Sequence, residues 1–206
     1  MAAIEGRYCI DRFEAALEQL DAEASPREHP HSRPVEGKRV RAISEAGRFP
    51  QSYIRQQEAA EACRLAGKRL CSGAEWQRAC RGPSGSLYPY GTRFRSGLCN
   101  DEGVSPLRLL YGPQAPADHR TMNDPRLVQV AGTVARSGHF ARCATEEGVF
   151  DLVGNVHEWT DDPRGVFRGG YFLDTKTLGE GCAYVTEGHS TAYRDYSTGF
   201  RCCADL

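Results

Sequence analysis

Phe150-Asp151-Leu152-Val153-Gly154-Asn155-Val156-His157-Glu158-Trp159 sets Leu152, Val153, Val156 and Trp159 among two acids, a Gly-Asn pair and a histidine. Neither alternation nor helical spacing accounts for it, so it does not read as an ordinary strand or helix. Gly154-Asn155 is a turn signal, because both residue types tolerate positive φ. A tight turn between two carboxylates gathers backbone carbonyls and acid oxygens. That is the raw material of a calcium site, which takes about six to eight oxygen ligands.

Around this stretch lie 206 residues, enough for one domain with a sizeable core. The 26 basic and 27 acidic side chains leave a net charge of −1, which gives no long-range pull toward nucleic acid or acidic lipid. No apolar run is long enough for a membrane span. No signal peptide is visible after Met1-Ala2-Ala3. Ile4-Glu5-Gly6-Arg7 spells a protease site used in expression vectors, so residues 1–7 read as a vector remnant, a chance match or a flexible lead-in. Plentiful glycine (22) and proline (11) predict much irregular structure, and nine cysteines are the candidate staples. No Cys-x-x-Cys pair is present, which argues against a zinc ribbon or finger.

In chain order, Tyr8 to Glu14 reads as a first strand with alternating faces. Asp21 to Lys38, rich in proline, reads as a surface loop and not a metal-binding histidine cluster; Arg39 to Ile43 is a short strand. Ala59, Ala62, Cys63 and Ala66 fall on one helical face, stopped by Gly67. Ser72 with Glu75 three residues on is a capping box for a second helix, whose Trp76, Ala79 and Cys80 face inward until Gly82-Pro83. From Pro83 to Arg136 turn residues dominate, with Val128 to Val130 as a brief strand. Cys99 and Cys143 bracket much of this tract, and a disulfide between them is a sensible staple. Val166 to Arg168 is a strand that turns at Gly169-Gly170 and continues through Tyr171 to Leu173. Thr198 to Cys203 is the closing strand.

The opening stretch also resembles the GNVWEW motif of the formylglycine-generating enzyme, or sulfatase-modifying factor, family. Ala66-Gly67-Lys68-Arg69-Leu70 with Ala74-Glu75-Trp76 resembles its AGKRLPTEAEWE, Tyr88-Pro89-Tyr90-Gly91 its YPWG, Phe167-Arg168-Gly169-Gly170 its RGGS, and Gly199-Phe200-Arg201-Cys202 its terminal GFRC. The matches keep the family's order from about Tyr8 to Leu206. The resemblance implies one α+β domain, residues 1–206, with a C-type-lectin-like fold: short antiparallel strands, two main helices, many ordered loops and disulfide staples.

By position, the family's bridges from the two helices carry over as Cys63–Cys202 and Cys80–Cys182. Bridges of this kind imply an oxidising, extracytoplasmic compartment; the alternative is buried free thiols. Cys9, Cys71 and Cys203 remain, and Cys71–Cys203 and Cys9–Cys203 both stay open, because connectivity is not readable from sequence.

The family oxidises a substrate cysteine with dioxygen and copper held by two cysteines just after RGGS. Here Asp174 stands where the first would be, and no cysteine lies between it and Cys182. Copper(I) favours thiolates, so that chemistry is not expected. His157, in place of the motif's first Trp, could join Asp174 and His189 as a two-His, one-carboxylate iron(II) set. The bland alternative is that Asp174 caps a turn and both histidines are half-exposed. The family's calcium at the central turn carries over to the side chains of Asp151 and Glu158 and the carbonyls of Gly154 and Val156; alternatively Glu158 pairs with an arginine such as Arg168 and Asp151 faces water. Tyr184, Tyr193 and Tyr196 are pocket-lining or core residues. No G-x-S-x-G, H-E-x-x-H, P-loop or G-x-G-x-x-G is present.

Two functions follow as expectations. One is a binding module for a peptide or protein partner, with structural Ca2+. The other is an Fe2+ oxidoreductase using the His/Asp set, akin to the domain fused in ergothioneine-forming sulfoxide synthases, where a separate helical domain supplies most iron ligands.

Overall fold

Tyr8 and Ile10 point inward with Cys9 between them, and this alternation sets strand β2 (Tyr8–Ile10) into the first sheet. The computed structural model describes residues 1–21 and 25–206. β2 lies between β1 (Ala2–Ile4) and β11 (Cys202–Asp205), and β11 continues to β6 (Arg69–Leu70), all antiparallel. Ile4 is fully buried and residues 2–4 form an ordered edge strand, which disfavours a flexible lead-in among the readings of residues 1–7.

The second sheet runs β10 (Thr198–Phe200), β7 (His157–Trp159), β8 (Phe167–Arg168), β9 (Val185–Thr186). β10 and β7 pair in parallel, an exception to the antiparallel expectation; the other pairs are antiparallel. The third sheet orders β4 (Arg27–Glu28), β3 (Ala16–Gln19) and β5 (Val40–Ile43). The loop expected over Asp21 to Lys38 therefore contains a short strand, and His29 within it is buried; its residues 22–24 lie outside the described residues.

Helix α1 (Gln56–Leu65) buries Ala59, Ala62 and Cys63 as the spacing predicts, and Gly67 follows it at φ +71°. Helix α2 (Gly73–Arg81) has the expected capping box: Ser72 Oγ accepts from Glu75 N at 3.2 Å and Glu75 Oε2 from Ser72 N at 2.8 Å. Its buried face holds Trp76, Ala79 and Cys80.

Three local expectations fail. Val128 to Val130 is not a strand; Leu127–Gln129 is a 3₁₀ turn, preceded by the short helices α3 (Pro106–Tyr111) and α4 (His119–Met122). Both helices are too short to show a periodic face. Tyr171 to Leu173 does not prolong β8, because Gly169 and Gly170 adopt φ +84° and +70° and the chain turns through a Tyr171–Asp174 bridge. Thr198 to Cys203 is two strands in two sheets, broken at Arg201, whose side chain is drawn into the core.

Four disulfides tie these parts together. Cys63–Cys202 joins α1 to β11, Cys80–Cys182 joins α2 to the return segment, and Cys99–Cys143 spans the irregular tract. The open choice resolves as Cys71–Cys203, leaving Cys9 free and half-buried. Among the described residues no helix is long and apolar enough to cross a membrane.

Candidate functional site

The central stretch enters the core as a turn followed by β7. Gly154 sits at φ +82°, and a Cβ there would lie 2.2 Å from the Asn100 carbonyl oxygen, so only glycine fits. Asn155, at φ +59°, donates to Glu14 Oε2 at 2.6 Å and accepts from Ala135 N and Asn100 Nδ2, each at 2.8 Å. The turn is thus pinned from three sides, and all of His157, Glu158 and Trp159 are buried.

On one side of this stretch lies a buried charge cluster. Glu158 accepts from Arg201 Nε and Nη2 at 2.6 Å each and from Trp76 Nε1 at 2.7 Å. Arg201 also reaches the carbonyls of Asp11 (3.1 Å) and Phe150 (2.9 Å). Asp151 accepts from Gly138 N at 2.6 Å. Burial, then the charges of Asp151 and Glu158, hold the Glu14 carboxyl well above its usual range. Burial pushes Asp151 up to about 6, against the Gly138 N–H and the Arg201 charge.

Of the set expected for calcium, Asp151, Gly154, Val156 and Glu158, the Glu158 carboxylate already has both oxygens engaged by protein donors. Arg201 engages both oxygens of Glu158, and the cluster as a whole sets three carboxylates, Glu14, Asp151 and Glu158, against this one guanidinium. Glu158 does pair with an arginine, but with Arg201 and not Arg168, and Asp151 is buried and does not face water.

On the other side stands His157, 8% exposed. Its ring lies 4.8 Å from that of Tyr171, 5.4 Å from Phe167 and 5.7 Å from Tyr184. Nδ1 is 3.0 Å from Ser197 Oγ, and Ser197 Oγ donates to Asp195 Oδ1 at 2.7 Å. Tyr193 donates to the other oxygen of Asp195 at 2.7 Å. These are the residue types of a hydrolytic triad in the wrong order. The serine stands between histidine and aspartate, so its proton already belongs to Asp195 and the histidine cannot take it.

The proposed iron set does not assemble either. His157 and His189 both stack on Phe167, and Asp174 caps a turn, accepting from Lys176 N and Thr177 N at 2.9 Å each and from Tyr184 at 3.2 Å. Among the described residues no three His, Cys, Asp or Glu side chains are grouped to hold a metal. His157 is buried and His189 half-buried. Tyr184 and Tyr196 are buried and Tyr193 half-buried, each against this aromatic cluster.

Arg201, Glu14, Ser197 and Asp195 are the site residues that sequence reading did not single out. Arg201 lay within the quoted GFRC run, and Glu14 within the first predicted strand. Ser197 and Asp195 carry no local signal.

Comparison with known proteins agrees with this architecture. Residues 7–206 match the model of the sulfatase-modifying factor enzyme 1-like domain. Over 141 residues the chain is 28% identical to the inactive C-alpha-formylglycine-generating enzyme 2 of Bos taurus, covering 65% of this chain and 42% of that protein. The Mus musculus protein of the same name is 29% identical over 141 residues, with 41% of its length covered. The chain thus spans less than half the length of these curated relatives. Among solved structures, that of CarF superposes with a TM-score of 0.50 at 18% identity, covering 78% of this chain and 69% of that one, a likeness of fold alone. With the matched model covering nearly the whole sequence, the chain belongs to the sulfatase-modifying factor enzyme 1-like domain family.

Proposed function

We propose that this domain is a binding module for a peptide or protein partner, and not a formylglycine-generating oxidase. One observation carries the reading. Asp174 stands where the family's first active-site cysteine is expected and is held in a turn by two backbone N–H groups. Eight of the nine cysteines are in disulfides, and the ninth, Cys9, lies on β2 in the first sheet. No thiolate pair is left for copper. The curated relatives are themselves named inactive, which supports the same reading. Four disulfides suit an oxidising compartment, so the partner is sought outside the cytoplasm.

The test uses the purified, disulfide-intact chain with copper, dioxygen and a cysteine-containing peptide of the kind sulfatases present. The expected result is no aldehyde trapped by a hydrazide reagent. Turnover would overturn the reading.

A further inference from the structure

Past the C-terminal end of α2 the chain crosses Gly82-Pro83 and folds back around Tyr90. Arg81, the last residue of α2, accepts at its carbonyl from Ser86 N at 2.8 Å. Tyr88 and Gly91 exchange two backbone bonds, of 2.8 and 3.1 Å. Tyr88 is fully buried, its hydroxyl bonds Glu180 at 2.5 Å, and its ring stacks on that of Tyr90 at 5.2 Å and 18°. A disulfide clamps each end of this segment, Cys80–Cys182 before it and Cys99–Cys143 after it. The surface that these residues present is therefore preformed.

Tyr90 and Gly91 form the shared wall of two cavities, of about 250 and about 320 Å³. Arg81 lines the first, and Arg93 and Arg95 line the second. Among the described residues none of these three guanidiniums takes part in an ion pair or a hydrogen bond, and the Nε of the half-buried Arg81 is without an acceptor. Arg78, one turn earlier on α2, shows the contrast: it bonds both oxygens of Glu147 and one of Glu5. The two cavities together set three guanidiniums against one carboxylate, that of Glu146. In a chain of net charge −1 this is a local excess of positive charge that the protein itself leaves unpaired.

We propose that the two cavities on either side of Tyr90 receive an acidic segment of the partner protein, with one carboxylate on Arg81 and another on Arg93 and Arg95. The proposal rests on the binding-module reading and supplies the partner's chemistry. Pockets for whole small molecules measure roughly 300–1,000 Å³. Each cavity here lies at or below the lower end of that range and has room for a single acidic side chain. The planar fork of a guanidinium matches a carboxylate through two parallel bonds. The stacked tyrosines and the two disulfides hold the frame before the partner arrives, which lowers the ordering cost of binding.

The experiment is isothermal titration calorimetry on the full, disulfide-intact chain. The probes are Ac-Gly-Asp-Glu-Asp-Glu-Gly-NH2, its uncharged Asn/Gln counterpart and a sulfated heparin tetrasaccharide. The acidic peptide is expected to bind saturably and to lose affinity as salt rises, and the uncharged peptide not to bind. Arg81→Gln should weaken binding about 10-fold, and Arg93→Gln/Arg95→Gln roughly 10- to 100-fold. Arg93 and Arg95 are exposed, so the double variant serves if Arg81→Gln disturbs the end of α2. Lys38→Gln/Arg39→Gln removes two exposed cations from a different cavity and should leave the affinity unchanged. Absence of acidic-peptide binding, equal binding of the uncharged peptide, or an equal loss in Lys38→Gln/Arg39→Gln overturns the proposal. So does a tetrasaccharide that binds more tightly than the acidic peptide and weakens in the same arginine variants, an outcome that assigns the cavities to an acidic saccharide. The aldehyde assay reads oxidase activity separately, so failure of this site and failure of the module reading are distinguishable.

Discussion

Glu158 and Arg201 meet inside the core through two bonds of 2.6 Å, with side-chain exposures of 1% and 0%. The pair links β7 to the break between β10 and β11. Two more bonds tie Arg201 to the carbonyls of Asp11 and Phe150, so one side chain holds the N-terminal segment, the central stretch and the closing strands. Removing one partner leaves a buried charge uncompensated.

Arg201→Met alone is therefore expected to cost about 3–5 kcal/mol. The double variant Glu158→Gln/Arg201→Met should cost less than the sum of the singles. Urea unfolding of the four proteins completes the cycle, and strict additivity would show that the pair is not coupled.

The disulfide pattern predicts a thiol count. Alkylation of the unreduced, denatured chain should label one cysteine, Cys9, and Cys9→Ser should label none. Losing Cys63–Cys202, which closes a separation of 139 residues, should cost about 4–5 kcal/mol in the chain-entropy model. Thermal unfolding of Cys63→Ala/Cys202→Ala measures it.

Gly154 and Gly67 make a controlled pair. Both have positive φ, but a Cβ at Gly67 meets open space while one at Gly154 meets the Asn100 carbonyl at 2.2 Å. Gly67→Ala should cost about 1 kcal/mol, the left-handed penalty alone. Gly154→Ala should cost clearly more, read as a lower urea midpoint.

Asp151 has its folded pKa raised to about 6 from 3.8. The folded state therefore binds a proton more tightly than the unfolded chain. Its contribution is fully present below pH 3.8 and is lost as pH rises to about 6. Asp151→Asn keeps a residue that tolerates φ +58° and can still accept from Gly138 N. The variant should gain stability relative to the parent above pH 6, and the gain should vanish toward pH 4; stability measured across that range decides it.

His157 acts in the opposite sense. Its pKa falls from 6.5 to about 3 on folding, so its contribution is present above pH 6.5 and is lost as pH falls toward 3. One proton taken up on unfolding gives a slope of about 1.4 kcal/mol per pH unit. His157→Phe should remove that slope between pH 6 and pH 4, as read by urea unfolding at each pH.

The sequence by itself determined the parts whose signals are local. The capping box at Ser72 and Glu75 is readable because both partners sit within one turn, and the inward faces of α1 and α2 follow from helical period. The ordered series of motifs carries the family and the fold; Cys63–Cys202 and Cys80–Cys182 follow from that resemblance, and Cys99–Cys143 from the irregular tract the two residues bracket. What only the tertiary structure decided is how distant charges meet. Nothing near Glu158 indicates that its partner is Arg201, 43 residues away, and that choice occupies one member of the expected calcium set. Likewise Asp174, His157 and His189 have the residue types of an iron set, yet Asp174 is taken up by the backbone of its own turn and the ring of Phe167 lies against both histidines. The choice between Cys71–Cys203 and Cys9–Cys203 has the same origin. In β2 the side chain of Cys9 points away from the buried face occupied by Tyr8 and Ile10, while Cys71 and Cys203 are both buried and bonded. Residue type limits which bonds can form; in this fold, long-range packing selects which of them do.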